Sequence, residues 1–235
     1  LTKELIKLQL KLKVFTRRTK LKLEIANVEE YCIDTDEPSN EIYAFLSSEV
    51  LIVNIPSKNI DSFASLVSKI ENSSVEKVLF ISFTSVCHNN NSPLLEIENF
   101  FTNSTMFETT ILRFAGLVGY GRNPAYFFKN KNVVLNAEER VNFIHRDDCI
   151  NIVKVILEQN VWGEVFNACA DTHPTKKEFY TRICQLENVE IPKFTSAKST
   201  KKIISNIELK KVLHYEFIYP DVMNMNFSEK EKCLH

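Results

Sequence analysis

What most restricts this chain is a regular alternation of short runs rich in valine, isoleucine, leucine and phenylalanine with stretches whose apolar residues recur at helical spacing. Residues 49–55 are the sharpest case, because Val50, Leu51, Ile52 and Val53 follow one another with no polar residue between. A strand with one wet face alternates apolar with polar, whereas a continuous apolar run needs burial on both faces, as in the middle of a parallel sheet. Pro56 ends the run, since proline has no amide proton to give to a ladder. Residues 77–83 and 109–114 read as further buried strands, with helical spacing over 60–70 and 94–101. Upstream, 2–9 reads as an amphipathic helix with Leu5 and Leu8 on one face, 12–16 and 29–33 as strands, and 39–47 as a short helix with Ser39 as its cap. Strands and helices at this pitch form βαβ units, whose right-handed crossovers place helices on both faces of a parallel sheet. The expected fold is therefore α/β, a doubly wound parallel sheet.

After residue 115 the texture changes. Residues 116–124 are a glycine-bearing loop, 145–157 an amphipathic helix that Asp147 or Asp148 is placed to cap, and 164–169 a strand. Residues 175–186 read as a helix and 205–213 as a shorter one. The division this suggests is 1–115 for the core and 116–235 for its remaining elements plus a small C-terminal lobe, in one continuous domain.

Charge and cysteine usage exclude several classes. Lys plus Arg numbers 29 against 30 for Asp plus Glu, so nothing points to a nucleic-acid partner. The longest apolar stretch, 50–55, is interrupted by Asn54 and falls far below the roughly 20 residues that a membrane span needs. The six cysteines are scattered, with no closely spaced pair, which favours reduced thiols and a cytoplasmic setting. The five histidines do not cluster, so no metal is expected.

Glycine is scarce: Gly116, Gly119, Gly121 and Gly163 are all there are. An α/β domain that binds a dinucleotide needs glycine where its backbone meets phosphate. Either this is no such domain, or the relevant segment lies outside these residues.

Several strand ends carry groups with two readings. Arg17 and Arg18 stand where a dinucleotide fold holds an acid for the ribose of NAD; arginine there suits the 2′-phosphate of NADP. With Lys20 and Lys22 nearby, they also read as a solvated basic turn. Asp34 suits an adenine contact or a turn cap. Ile55, Pro56 and Ser57 follow the buried strand at the carboxyl edge, where open α/β sheets bind ligands. Ser82 and Ser85 suit substrate orientation or simple strand termination. His145 with Asp148 resembles an acid–base pair, although a histidine just before a helix is more often a hydrogen-bonding strut. No serine sits in a nucleophile elbow, so a hydrolase triad finds no support.

Taken in order, Val78-Leu79-Phe80-Ile81-Ser82 with Thr84-Ser85-Val86, 112–124 from Leu112-Arg113-Phe114 to Arg122-Asn123-Pro124, Val141 to Asp148, Val165-Phe166-Asn167-Ala168, and Lys201 to Asn206 span nearly the whole chain. Together they resemble the extended short-chain dehydrogenase/reductase superfamily, in its NAD(P)-binding epimerase/dehydratase-like branch that includes the bacterial YeeZ-type proteins. The resemblance implies a Rossmann-like nucleotide-binding core with a C-terminal substrate lobe, NADP or NAD as cofactor, a small-molecule substrate such as a nucleotide-sugar, and a homodimer as one possible assembly. It also implies a first strand and a GxGxxG phosphate loop ahead of Leu1. Arg17, Arg18, Asp34, Ile55, Pro56, Ser57 and Ser82 fall on its cofactor side. Arg113, Gly116, Gly121, Arg122, Asn123 and His145 fall on its substrate side.

The departures bear on activity. Phe83 stands where the family's active members keep a serine or threonine, and Cys87 where they often keep a tyrosine. Residues 94–101 hold no Tyr-x-x-x-Lys, the pair that normally moves the proton, and the connection from Cys87 to Pro93 is short. Two functional readings result: an atypical epimerase/dehydratase-like protein with a degenerate catalytic motif, or a non-catalytic NADP-binding redox sensor or regulator. A ligand-free structural partner in a homodimer is a third.

Overall fold

The computed structural model describes residues 1–17, 25–34, 41–88, 91–127, 133–196 and 203–227. The elements of the first half are α1 (Thr2–Ile6), β1 (Leu12–Thr16), β2 (Val28–Cys32), α2 (Glu41–Phe45), β3 (Val50–Val53), α3 (Ile60–Glu71), β4 (Lys77–Phe83), α4 (Pro93–Thr102) and β5 (Glu108–Phe114). Those that follow are β6 (Gly116–Val118), β7 (Val133–Val134), β8 (Phe143–His145), α5 (Arg146–Gln159), β9 (Val165–Ala168), α6 (Lys176–Leu186), β10 (Lys193–Phe194) and α7 (Ile207–Leu213). The fold is α/β with parallel sheets: β1 pairs with β2, β3 with β4, β6 with β8 and β7 with β10, each in parallel. The largest sheet has the order β3-β4-β5-β9. The five strands expected in the first half all form, within a residue or two of the expected bounds. The helix expected at 2–9 stops at Ile6, and Gln9 takes a positive φ of 58° before β1. Ser39 and Arg18 lie outside the described residues.

The chain forms two compact units. Unit 1 comprises Leu1–Ser82, Asn90–Leu112 and Asn160–Val165; unit 2 comprises Phe83–Asn89, Arg113–Gln159 and Phe166–His235.

Unit 1 is organised by the apolar runs that define its strands. Val78, Leu79 and Phe80 are buried, as two-sided coverage of β4 requires. Phe80 stacks on Phe101 of α4 at 4.6 Å between ring centres, and Phe63 of α3 meets Phe80 edge-on at 5.8 Å. This aromatic trio fastens both helices to the sheet. The helices start where their sequences supply caps: the Asn59 side chain accepts from the Ser62 amide, and Ser92 accepts from Leu94 with Pro93 in the first turn. On β1, Lys13 donates to the carbonyls of Ala44 and Ser47, neutralising the C-terminal end of α2.

Unit 2 has its own core, in which Val118, Val134, Val141, Phe179, Tyr180, Ile183, Val222 and Phe227 pack together. Its helix α6 begins with a capping box: the Thr175 hydroxyl accepts from the Glu178 amide, and the Glu178 carboxylate accepts from the Thr175 amide at 2.7 Å. Those bonds to Thr175 hold the Glu178 carboxyl below its ordinary pKa.

Candidate functional site

Parallel pairing puts the carboxyl ends of β1 and β2 side by side, with Thr16 opposite Cys32. The residues just beyond them, Arg17 and Asp34, therefore meet: the Arg17 Nε donates to Asp34 Oδ2 at 2.8 Å. Their side chains are 62% and 26% exposed, so the pair is solvated. A pair of this kind contributes about 0–1 kcal/mol, while a charge-assisted bond to a ligand phosphate contributes about 1.5–3 kcal/mol.

Beyond β3 the chain turns tightly. The Ser57 amide donates to the Ile55 carbonyl at 2.8 Å, and the Ser57 hydroxyl accepts from the Asn59 amide at 3.2 Å. Pro56 is exposed at this turn. Ser82 ends the buried part of β4, fully enclosed, with its hydroxyl donating to the carboxylate of Glu98 on α4. That hydroxyl faces the interior of unit 1. The next residue, Phe83, is 39% exposed. Ser85 is exposed on the 3-10 turn Thr84–His88.

In unit 2 the substrate-side candidates divide into exposed and structural groups. Gly121 and Arg122 are exposed, with the Arg122 guanidinium 6.0 Å from the Phe127 ring centre. Arg113 is half-buried. Gly116 opens β6 and donates its amide to the Asn142 carbonyl at 3.0 Å. Asn123 is buried and caps the short turn Pro124–Tyr126, accepting from the Ala125 amide at 2.9 Å.

His145 is buried with both ring nitrogens engaged. Nδ1 accepts from the Asp147 amide at 3.2 Å, so His145 itself satisfies an open amide of the first turn of α5. Nε2 lies 2.9 Å from the Asn226 carbonyl oxygen and, with Nδ1 accepting, is the nitrogen that donates. The ring packs on Tyr219 at 4.0 Å between centres. Gly119, with φ of +95°, passes so close that a β-carbon there would stand 2.4 Å from His145 Nε2.

Three further groups have partners that the sequence reading did not foresee. Tyr120 donates to Asp147 Oδ1 at 2.5 Å, and the exposed Arg146 lies over the Tyr120 ring at 4.6 Å. Asp148, expected as a helix cap, instead accepts from the Tyr215 hydroxyl at 2.9 Å and from the amides of Ile218 and Tyr219 at 2.7 and 3.1 Å. Burial raises the Asp148 carboxyl above its ordinary pKa against the pull of those bonds; burial, and then the Asp148 charge, raise the Tyr215 phenol. Glu98 is the third, a buried glutamate beside Ile97 and Phe101 that stands as a charge on an apolar helix face.

The cysteines described are free thiols: Cys32, Cys87, Cys149, Cys169 and Cys184. Cys87 Sγ lies 3.5 Å from Asn167 Oδ1, and burial pushes Cys169 up to about 12. Among the described residues no group of three or more His, Cys, Asp or Glu side chains is arranged to hold a metal ion, and no helix is long and apolar enough to cross a membrane.

Parallel strands joined through helices, with polar groups gathered beyond their carboxyl ends, define a Rossmann-like α/β protein. The same fold occurs in the UDP-glucose 4-epimerase of Thermotoga maritima, solved with UDP-glucose, with TM-score 0.70 and 16% identity over 92% of this chain and 89% of that one. It occurs in MoeE5 bound to UDP-glucose and NAD, with TM-score 0.71 and 16% identity over 92% and 88% of the two chains. The UDP-glucuronic acid 4-epimerase of Bacillus cereus, bound to UDP-glucuronic acid and NAD, gives TM-score 0.68 at 14% identity over 85% and 79%. No family model matches the chain. In sequence, the chain is 27% identical over 213 residues to Protein YeeZ of Escherichia coli (strain K12), covering 80% of this chain and 77% of YeeZ. It is a distant homologue of YeeZ with the fold of the NAD-dependent epimerases and dehydratases.

Proposed function

We propose that this chain binds a nicotinamide dinucleotide at the carboxyl edge of the unit 1 strands, NADP in preference to NAD. Arg17 takes the 2′-phosphate, with Arg18 as a second cation; Asp34 and the turn Ile55-Pro56-Ser57 line the nucleotide, and Ser82, its hydroxyl turned inward to Glu98, offers only its backbone at the end of β4. The observation that carries this reading is the Arg17–Asp34 pair beyond the carboxyl ends of β1 and β2, a charged pair where the fold presents its ligands. In unit 2, Arg113, Gly116, Gly121, Arg122, Asn123 and His145 form the substrate side, for a small phosphate-bearing molecule such as a nucleotide-sugar. Arg122 is the exposed cation suited to its phosphates, and Asn123 and His145 hold the loop that carries it.

When bound, the nicotinamide supplies hydride transfer. This chain's own part is binding and orientation. Among the described residues, Ser82 and Phe83 at the end of β4 are not placed to move a proton: Ser82 is turned to Glu98, and an exposed Phe83 follows it. General acid–base catalysis normally contributes about 10²–10⁴-fold; without it we infer a degenerate site that binds nucleotide and turns over UDP-sugars poorly. The same observation supports a second reading, a non-catalytic NADP-binding sensor or regulator.

The test is calorimetric titration of NADP and NAD into the wild-type chain and Arg17→Ala, followed by cofactor absorbance and product analysis with a panel of UDP-sugars. The expected result is tighter binding of NADP, a loss of about 10–100-fold for NADP alone in Arg17→Ala, from one charge-assisted bond, and little turnover. Equal affinities in wild type reject the NADP assignment. Rapid turnover that survives Ser82→Ala and Ser85→Ala rejects the degenerate site.

A further inference from the structure

The first residue of α5 is an arginine held by a ring rather than by a carboxylate. Arg146 is exposed, and among the described residues its guanidinium has no carboxylate or carbonyl partner. The two acids that follow it are turned to other groups. Asp147 accepts from the Tyr120 hydroxyl through Oδ1 and keeps Oδ2 3.6 Å from His145 Nδ1. Asp148 is buried and accepts from Tyr215, Ile218 and Tyr219. What Arg146 does have is an aromatic face, since its guanidinium lies over the Tyr120 ring at 4.6 Å. An arginine on a ring engages its flat face and leaves the in-plane fork of N–H donors open.

The ring beneath it is held against backbone preference. Gly119 and Arg122 exchange amide-to-carbonyl bonds of 3.2 Å each, closing a two-residue turn over Tyr120 and Gly121. Both central residues have positive φ, 55° at Tyr120 and 79° at Gly121, as a type I′ turn requires. Glycine and asparagine adopt this conformation readily, whereas a bulky aromatic does so against the clash of its β-carbon. The bond to Asp147 then fixes the tyrosine hydroxyl. A solvated surface arginine needs none of this. A residue kept in a disfavoured conformation so that its ring underlies a cation points to a task for that cation.

We propose that Arg146 binds an oxyanion of the small-molecule ligand, its N–H groups donating to two oxygens of a phosphate or carboxylate, and that Tyr120 is the residue that positions it. Arg122 closes the same turn, so one fixed element carries one cation and supports the other. The ligand class that suits the pair has two oxyanion groups: a diphosphate, or a phosphate together with a carboxylate. That the ligand is a nucleotide-sugar rests on the substrate side proposed above; oxyanion binding at Arg146 does not depend on it.

Calorimetric titration of the 235-residue chain tests it, with pyrophosphate, malonate, UDP-glucose and UDP-glucuronic acid as probes. Arg146→Gln is expected to weaken the anions that Arg146 takes by about 10–100-fold, the equivalent of one charge-assisted contact. Arg146→Lys keeps the charge without the fork and is expected to recover only about threefold of that loss. Tyr120→Asn keeps the turn and removes the ring. It is expected to weaken the same anions about 3–10-fold, and no further once Arg146 is already glutamine. An equal loss in the Arg146→Gln background makes Tyr120 a structural residue and overturns its positioning role. A loss shared by both UDP-sugars assigns the diphosphate to Arg146; a loss confined to UDP-glucuronic acid assigns the sugar carboxylate. The proposal is overturned if no probe binds wild type at millimolar concentration, or if Arg146→Gln, folded by circular dichroism, binds every probe as wild type does. Should pyrophosphate or malonate bind through Arg146 while neither UDP-sugar binds, the oxyanion site stands and the nucleotide-sugar reading falls. UDP-sugars that bind equally well without Arg146 do the reverse.

Discussion

The two units treat their polar candidates in opposite ways. In unit 1, Arg17 and Asp34 hold each other at a strand edge, with side chains 62% and 26% exposed. In unit 2, Asn123, His145 and Asp148 are buried and each accepts hydrogen bonds from backbone amides of turns or helix starts. What separates a group available to a ligand from one that builds the fold is the price of losing its present partner, and that differs severalfold between the units.

The sharpest way to break this comparison is Asp148→Ala. Three bonds to a charged acceptor at about 1.5–3 kcal/mol each, less the desolvation that burying the carboxylate costs, leave a loss on the order of 3–5 kcal/mol. The midpoint of urea unfolding measures it, with Asp148→Asn expected to lose about half as much because one acceptor oxygen remains. The pH dependence has a definite sign. Burial raises the Asp148 pKa in the folded state, so its contribution is greatest below the unfolded carboxyl pKa and declines as pH rises through the folded one. Wild type should therefore gain from this group on mild acidification, relative to Asp148→Ala. A loss under 1 kcal/mol would place unit 2 with unit 1 and end the distinction.

How far the sequence reached follows the same division between local and distant causes. β3 and β4 were legible because continuous runs of valine, leucine, isoleucine and phenylalanine have one structural meaning at their length. β6, β7, β8 and β10 have two or three residues each, too few for any period to show. Arg17 and Asp34 were each legible alone, but their meeting depends on β1 and β2 being neighbours in register. Asp148 was read as a cap because its position before a helix says so, whereas its partners Tyr215 and Ile218 lie about seventy residues on. The cap came from His145, whose Nδ1 does what a serine oxygen does elsewhere.

Gly119→Ala sharpens the comparison within unit 2. The positive φ costs an L-residue about 1–2 kcal/mol, and the new methyl meets His145 Nε2, so a total loss of about 2–3 kcal/mol is expected. The two contributions separate in a double-mutant cycle. With His145→Ala as background, the cost of Gly119→Ala should fall toward the backbone part, about 1–2 kcal/mol. Full additivity would mean that the histidine moves aside freely and is no strut.

Asp34→Ala is the smallest effect and the most informative about unit 1. Because the ion pair with Arg17 is solvated, stability should change by less than about 1 kcal/mol. Nucleotide preference should change more than stability does. The substitution removes the carboxylate that competes with a 2′-phosphate for Arg17, and it also removes the acceptor suited to the ribose hydroxyls of NAD. Both changes push the same way, so the ratio of NADP to NAD affinity should rise about three- to tenfold, the equivalent of about 1 kcal/mol. Paired titrations of wild type and Asp34→Ala read the ratio directly. If stability falls by several kcal/mol while the ratio stays fixed, Asp34 is a structural residue like Asp148, and the strand edge of unit 1 is no more open to ligands than the network of unit 2.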